Sequence, residues 1–160
     1  MSKSELTKIA EYRIYQEWGS KLGAFCCDEV MIGNQLNHHG IVDYLIYDTK
    51  GIWRCYEIKV TLADFRSTAL KTFVGNYNYY VLPFDLYQKV KHEIPDSIGV
   101  ICFDQSPYVQ KRPKKQKLVV DKEIMYYSLI KSLARERNKL MKWIYFDLED
   151  SRYERKFAPS

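Results

Sequence analysis

The sequence predicts an α/β fold in which a mixed β-sheet is flanked by helices. Three observations support this fold. Apolar residues recur at helical spacing near both ends of the chain, a tight turn at 48–51 joins two strand-like segments, and the later strands alternate with helices. Alternating helices and strands favour a layered architecture, and the turn requires an antiparallel strand pair within the sheet.

The chain has the length and composition of one folded domain over residues 1–160. Its 160 residues are 46% hydrophobic and 28% charged, which excludes a disordered chain and favours one hydrophobic core. No apolar run approaches the roughly 18 residues of a membrane span. The segment 1–13 lacks the apolar stretch of a secretory signal. We therefore expect a cytoplasmic protein with no membrane partner.

The four cysteines predict free thiols rather than a metal site. Cys26 and Cys27 are adjacent, Cys55 and Cys102 are isolated, and no pair has C-x-x-C spacing. We expect buried thiols in a reducing compartment.

The first half of the chain predicts one helix and three strands. Ser4 is suited to cap a helix over 4–18, in which apolar residues recur every three or four positions. The strands are predicted at 24–32, 41–47 and 52–60, with a polar loop at 33–40.

The second half predicts alternating helices and strands, followed by a basic extension. Thr61 is a possible cap for the first of these helices, and Pro83 and Pro95 bracket the next. The elements are a helix at 61–73, a strand at 77–82, a helix at 83–94 and a strand at 97–103, then a basic segment at 105–118, at best an edge hairpin, a long helix at 121–146 and a polar tail from 147.

The hairpin brings three charged residues together. Its turn folds the flanking strands against each other and sets Asp43 beside Glu57. Glu57 and Lys59 are two positions apart in a strand, so they project from the same face at a backbone distance of roughly 7 Å. All three charges lie in segments otherwise apolar enough to be buried.

This charged cluster has two interpretations. Buried charges require a partner or a metal, and two close carboxylates suit Mg²⁺ or Mn²⁺. Such an ion contacts a phosphate oxygen and lowers the pKa of water, while a lysine offsets negative charge, which together favour phosphodiester hydrolysis. The alternative is a cross-strand salt bridge on a solvated face, because this spacing also arises by chance.

The same residues resemble the motif of the PD-(D/E)XK nuclease superfamily. Glu57-Ile58-Lys59 comes fourteen positions after Asp43, and Val42 stands where the superfamily usually has proline. The segment VDYLIYDTKGIWRCYEIKVTLADFRS is similar to the MmcB-like branch of DNA-repair nucleases, in which the E-x-K strand runs into a helix beginning ADFRS. The resemblance implies a restriction-endonuclease-like core over about 5–104, and it leaves out the basic extension 105–160.

The resemblance also implies roles for individual residues. Asp43 and Glu57 would bind the metal together with the backbone carbonyl of Ile58, and Lys59 would be the catalytic lysine. Many members add a glutamate from the first helix. The candidates, in order of preference, are Glu11, Glu17 and Glu5. A solvated position on the helix surface is the alternative for Glu11.

Two groups near the motif are candidates for substrate contacts. Arg66 and Lys71 follow the E-x-K strand and are candidates to bind DNA phosphates, or are ordinary helix cations. The polar loop precedes Asp43 and ends with two histidines, either of which is a candidate proton relay or an exposed residue. The loop residues in question are Asn34, Gln35, Asn37, His38 and His39.

Positive charge is concentrated in the last third of the chain. Residues 1–104 carry 11 Lys and Arg against 13 Asp and Glu, whereas residues 105–160 carry 14 against 7. A basic region on a small domain is typical of a polyanion partner, although it also serves solubility. Tyr108 is a candidate to stack on an unpaired base. The candidate DNA-binding cations here are Lys111, Arg112, Lys114 and Lys115.

These observations favour a Mg²⁺-dependent DNA nuclease in repair or processing. Two alternatives remain: a catalytically inactive nuclease fold that binds DNA, and an accessory protein of a phage or mobile element. The sequence leaves open the preferred DNA structure, endonuclease against exonuclease action, and whether the chain forms homo-oligomers.

Overall fold

The computed structural model describes residues 3–148, and it has an α/β architecture with one six-stranded mixed sheet. The residues 149–160, most of the predicted polar tail, lie outside this range. The elements are α1 (Glu5–Trp18), β1 (Ala24–Gly33), β2 (His38–Asp48), β3 (Trp53–Ile58), α2 (Leu62–Arg66), β4 (Tyr77–Leu82), α3 (Phe84–Val90), β5 (Gly99–Cys102), β6 (Val109–Lys111) and α4 (Lys122–Leu148).

The strands lie in the sheet in the order in which they occur along the chain, from β1 to β6. The first three are antiparallel neighbours, β3 to β5 run parallel, and β6 returns antiparallel at the edge. The predicted mixed sheet flanked by helices, with a long C-terminal helix, is therefore confirmed.

The two faces of the sheet carry different helices. On one face, α1 packs Ala10 and Ile14 against Tyr44, Ile46 and other residues of β2 to β5. On the other face, α4 covers β1 to β3 through a cluster that includes Met125 and Leu129. The short α3 covers the β4–β5 end of that second face.

Several element boundaries differ from the predictions. The helix predicted at 61–73 ends at Arg66, because Ser67 adopts an extended backbone and the following segment packs Thr72 and Val74 into the interior. The helix predicted at 83–94 ends at Val90 and continues as turns. The predicted loop at 33–40 is shorter, since β2 begins at His38.

The cysteines are free thiols, as predicted. Cys27, Cys55 and Cys102 are buried and Cys26 is half-buried. Burial raises the pKa of the Cys55 thiol to about 12, so the thiol stays protonated and unreactive. Within residues 3–148, no helix has the length and apolar character needed to span a membrane.

Candidate active site

The hairpin of β2 and β3 brings Asp43 next to Glu57, as the sequence predicts. The turn is closed by Asp48, whose Oδ1 accepts the Lys50 and Ile52 N–H groups at 2.9 and 3.2 Å. The strand register pairs Tyr44 with Tyr56, and its continuation places Asp43 opposite Glu57.

Asp43 is fixed by the backbone of the partner strand. Its Oδ2 accepts the Ile58 N–H at 2.8 Å. In an extended strand, the N–H and C=O of one residue face the same neighbour, so the Ile58 carbonyl also faces the β2 side where Asp43 lies. Asp43, Glu57 and the Ile58 backbone therefore lie together.

Glu57 and Lys59 form a buried ion pair. The Lys59 Nζ lies 3.2 Å from the Glu57 Oε1 and 3.6 Å from the Asp64 Oδ1. Glu57 is 4% exposed and Lys59 is 7% exposed. Asp64 comes within reach because Thr61 caps α2 immediately after the strand. The predicted alternative, a salt bridge on a solvated face, is wrong because both partners are buried.

The negative charge of Glu57 is incompletely compensated. Its Oε2 is buried and has no hydrogen-bond partner. Burial and repulsion from Asp43 raise the pKa of Glu57 to about 7, against the opposing attraction of Lys59 and the Thr72 N–H. Burial also raises the pKa of Asp43, and the Ile58 N–H and Lys59 reduce that shift. A bound cation would remove this imbalance.

For Lys59, the neighbouring charges outweigh the effect of burial on the pKa, whereas for Glu57 burial outweighs the attraction of Lys59. Burial lowers the pKa of Lys59, but the neighbouring carboxylates of Glu57, Asp64 and Asp43 outweigh burial and raise the pKa overall. The ammonium group therefore remains protonated at neutral pH.

An open cleft of about 670 Å³ contains these three side chains. The segment after α2 forms one wall: a Cβ on Gly40 would lie 2.2 Å from the Thr72 Oγ1, so glycine permits this close approach to β2. The lining residues outside the predicted motif include Glu29, His38, Leu70 and Arg135. Of the two predicted histidines, His38 lines the cleft and His39 does not.

Glu29 is a cleft residue that sequence reasoning missed. It has a φ of 49°, a left-handed conformation that is uncommon for glutamate. The pairs Asp28–Tyr44 and Val30–Val42 flank it, so it faces Asp43 across the β1–β2 ladder. The available signal was the pair of acidic residues interrupting an apolar strand.

Arg135 is the second missed residue. It reaches the cleft from α4, and its guanidinium donates to the backbone oxygens of Asp28 and Glu29, each at 3.1 Å. These contacts join positions more than one hundred residues apart in sequence, so no local pattern reveals them.

The three glutamates proposed from α1 occupy different surroundings. Lys3 forms an ion pair with Glu11 and lies 3.3 Å from Asp28 and 3.6 Å from Glu29. Glu11 thus adjoins the cleft through Lys3 without lining it, and its catalytic role stays a prediction. Glu5 is exposed at the start of the helix.

Glu17 lies away from the cleft. It lines a separate small cavity together with Arg13, Trp18 and Tyr108. The Arg13 guanidinium lies 5.4 Å from the centre of the Tyr108 ring. Glu17 and Tyr108 are therefore not brought together with Asp43 and Glu57.

A divalent metal would have two carboxylates and one carbonyl at the predicted position. Among residues 3–148, no group of three or more His, Cys, Asp or Glu side chains is arranged to hold a metal. Mg²⁺ usually keeps several waters and binds through one or two carboxylates. Asp43, Glu57 and the Ile58 carbonyl are sufficient for such a site, and the Glu57 Oε2 has no hydrogen-bond partner that a metal would have to displace.

The predicted DNA-binding cations near the motif are engaged elsewhere. The Arg66 Nη2 lies 2.6 Å from the Glu93 Oε1 in an exposed ion pair. The Lys71 Nζ donates to the Ser67 carbonyl at 3.1 Å, and Lys71 is not on a helix, contrary to the prediction. Neither residue lines the cleft.

Most of the basic segment 111–117 lies toward the opposite end of the parallel strands, although Lys111 pairs with Val100 in a row that continues through Tyr80 to Glu57. Its Lys114 N–H donates to the Ser97 oxygen just before β5, and its Gln116 N–H donates to the Asn76 oxygen just before β4. Glu57 and Lys59 are at the other end, where β3 finishes. Asn76 is level with Trp53, four positions before Glu57, so that end of the segment lies roughly 13 Å from Glu57 along the strands, at about 3.3 Å per residue. The expectation that this segment binds DNA close to Asp43 and Glu57 therefore stays a prediction.

Individual cations of this segment differ in their contacts. The Lys111 Nζ donates to the Pro95 oxygen at 2.8 Å, and Lys114 forms an ion pair with Asp96. Arg112 and Lys115 are exposed. Their binding to DNA stays a prediction.

Comparison with known proteins establishes the fold alone. No family model matches the sequence, and no curated protein matches it. Among solved structures, the chain is similar to the SPO1766 protein of unknown function from Silicibacter pomeroyi, with a TM-score of 0.59 and 17% identity over 89% of this chain and 94% of that chain.

Proposed function

We propose that this protein is a metal-dependent nuclease that hydrolyses DNA phosphodiester bonds during repair or processing. The observation that carries the proposal is the convergence of Asp43, Glu57 and Lys59 in one open cleft, with the Glu57 Oε2 buried and unpartnered. Because the ionised carboxylates of Asp43 and Glu57 repel each other, binding of a cation between them is favourable.

Asp43, Glu57 and the Ile58 carbonyl would hold Mg²⁺ or Mn²⁺. When bound, such a cation offsets the charge of a phosphate oxygen and acidifies a nearby water. The Ile58 N–H keeps one oxygen of Asp43 in place, which leaves the other oxygen available for this role.

Lys59 would stabilise developing negative charge rather than accept a proton. Its raised pKa keeps the ammonium protonated at neutral pH. Glu57 and Asp64 hold the Nζ from two sides, so its position is fixed before substrate binds. A charge that is already fixed in position needs no reorganisation during the reaction, which makes it effective.

The decisive experiment incubates the purified protein with labelled single-stranded, duplex and forked DNA. Mg²⁺, Mn²⁺ and EDTA are compared, with Lys59→Ala beside the wild type. We expect cleavage that requires the metal and is lost in Lys59→Ala. Asp96→Asn is the control, since Asp96 pairs with Lys114 at the far end of the strands.

Two outcomes would contradict the proposal. Cleavage that persists in EDTA, or at full rate in Lys59→Ala, would assign the activity to another site or a contaminant. DNA binding without cleavage under either metal would instead favour a nuclease fold that only binds DNA.

A further inference from the structure

A second cavity adjoins the catalytic cleft. It is an open pocket of about 440 Å³ between the β1–β2 turn and α4. Met31 and Arg135 line both the cleft and this cavity, so the two are contiguous. The remaining lining residues are Asn34, Gln35, Tyr127, Lys131 and Ser132.

The cavity walls are held in place by hydrogen bonds between the turn and α4. The Gly33 N–H donates to the Ser128 Oγ at 2.9 Å, and the Lys131 Nζ donates to the Gly33 oxygen at 2.7 Å. The Asn34 Oδ1 closes the turn by accepting two backbone N–H groups, each at 2.9 Å. The side-chain amides of Asn34 and Gln35 are thus presented from an anchored turn.

One wall of this cavity contains a polar atom without a partner. Ser132 is 1% exposed, and its Oγ has no hydrogen-bond partner. A buried hydroxyl in this state is unfavourable for folding. Ser132 lies in the cavity wall, so a rotation of its side chain about Cα–Cβ would bring the Oγ to a ligand bound there and supply the missing hydrogen bond.

The lining chemistry differs from that of the cleft. The cavity is lined by two primary amides, a hydroxyl, an aromatic ring and two cations, and none of its lining residues is acidic. Arg135 is paired with Glu136 at 2.8 Å and the Asn34 Oδ1 is used within the turn, so Lys131 and the amide N–H groups are the polar groups offered to a ligand. Amides and hydroxyls hydrogen-bond the edges of nucleobases, an aromatic ring stacks on their faces, and cations offset the attached phosphate. The Lys131 Nζ lies 5.3 Å from the centre of the Tyr127 ring, which helps fix that ring at the wall.

We propose that this cavity binds the base of an unpaired nucleotide adjacent to the phosphate held in the cleft. The inference deepens the proposed function and relies on it for the position of that phosphate. In a duplex the bases are stacked and their pairing edges are occupied, so only an unpaired base can enter such a cavity. The substrate is therefore single-stranded or locally unpaired DNA.

The test measures DNA binding by fluorescence anisotropy in EDTA, which requires no catalysis. A labelled single strand is compared with the matching duplex for the wild type, Tyr127→Ala and Ser132→Ala. We expect Tyr127→Ala to weaken single-strand binding about tenfold, because it removes base stacking. We expect Ser132→Ala to weaken it several-fold without lowering the melting temperature, because it removes a buried polar atom that has no partner in the free protein.

Tyr12→Ala is the matched control for Tyr127→Ala. Tyr12 is 59% exposed on α1 and Tyr127 is 54% exposed on α4, and Tyr12 lines neither cavity. We expect Tyr12→Ala to bind the single strand like the wild type, and all variants to bind the duplex like the wild type.

The inference fails if no single strand binds, if the cavity variants bind it like the wild type, or if they lose duplex binding equally. Its failure is distinct from that of the proposed function. Metal-dependent cleavage with unaffected single-strand binding in the cavity variants would retain the nuclease and remove the base site. Selective loss of single-strand binding without cleavage under any metal would retain the base site and remove the nuclease.

Discussion

The cleft and the basic segment 111–117 hold the two main groups of charge that the sequence predicts to be functional, and they differ in burial and compensation. In the cleft, Glu57 and Lys59 are buried and Glu57 keeps an oxygen without a partner. In the basic segment, Lys111 and Lys114 bind neighbouring surface groups, and Arg112 and Lys115 are exposed. Residues 114–117 of the basic segment lie before the first residues of β4 and β5, whereas Glu57 lies where β3 ends.

This difference shows why local charge density is a poor guide to chemistry. Five cations within seven residues lie mostly at the surface, where solvent screens them. Three charges from two strands meet in the cleft, where Glu57 and Lys59 are buried, Asp43 is half-buried, and burial and mutual interaction shift the pKa of each. Because low polarity strengthens electrostatic interactions, the smaller group has the larger expected influence on stability and catalysis.

The largest expected effect is on catalysis in the cleft. Asp43→Asn should lower metal-dependent DNA cleavage by about 10³-fold or more, because it removes a charge that would bind the metal. The fold should persist, since an asparagine oxygen still accepts the Ile58 N–H. Cleavage rates and circular dichroism measure both effects. Equal cleavage by Asp43→Asn and Asp96→Asn would remove the distinction between the two regions.

The next effect is on stability and its dependence on pH. In the folded protein the pKa of Glu57 is raised to about 7, so the folded state holds a proton that the unfolded state releases between about pH 4.5 and 7. Stability therefore falls as the pH rises through this window. Glu57→Gln should raise the free energy of unfolding at pH 8 by about 3 kcal/mol and leave it unchanged at pH 4.

Urea denaturation of Glu57→Gln and the wild type from pH 4 to 8 measures this difference. Asp96→Asn serves as the exposed counterpart, and its curve should run parallel to that of the wild type at every pH above 5, because Lys114 lowers the pKa of Asp96 and the carboxylate stays ionised there. A Glu57→Gln curve that runs parallel to the wild type would show that the carboxylate is not strained by burial.

Metal binding should stabilise the cleft by a smaller amount. At ten times the dissociation constant, Mg²⁺ or Mn²⁺ should raise the free energy of unfolding by about 1.4 kcal/mol and the melting temperature by about 3 to 6 °C. Asp43→Asn should show no such rise, since one of the two carboxylates is gone. Differential scanning fluorimetry with and without EDTA measures both. An equal rise in the variant would place the metal elsewhere.

The smallest effect is expected in the basic segment. Replacing Arg112 and Lys115 by alanine should weaken DNA binding modestly, and equally for all sequences. Each lost phosphate contact lowers the slope of log affinity against log salt by about 0.7 to 0.9. Lys114→Ala should change the slope less, because Asp96 already holds Lys114. A salt titration of binding measures these slopes, and an unchanged slope in the double variant would exclude the segment from the DNA interface.

Much of the fold was predictable because it depends on local patterns. The hairpin turn needs an Asp at 48 and a glycine at 51, where φ is 80°, and both signals are local. The long α4 and the strands around Glu57 likewise follow from apolar periodicity. The helix predicted over 61–73 failed because burying Thr72 and Val74 stabilises an extended segment more than helical propensity stabilises a helix there.

The site was predictable only where the hairpin register fixes it. Asp43, Glu57 and Lys59 meet because alternation along a strand and one tight turn determine their neighbours. Glu29 and Arg135 were not predicted from the sequence. The position of Glu29 depends on its left-handed backbone conformation within β1, and that of Arg135 depends on the packing of α4 against β1. The position of the basic segment likewise depends on where β6 joins the sheet.

The sequence by itself determined the α/β class, the hairpin and the three charges it gathers, because turn chemistry and strand periodicity act over a few residues. The tertiary structure decided how deeply those charges are buried, which helix forms the cleft wall, and where the basic segment joins the sheet. Those features depend on contacts between distant parts of the chain, whose free energies no local pattern encodes.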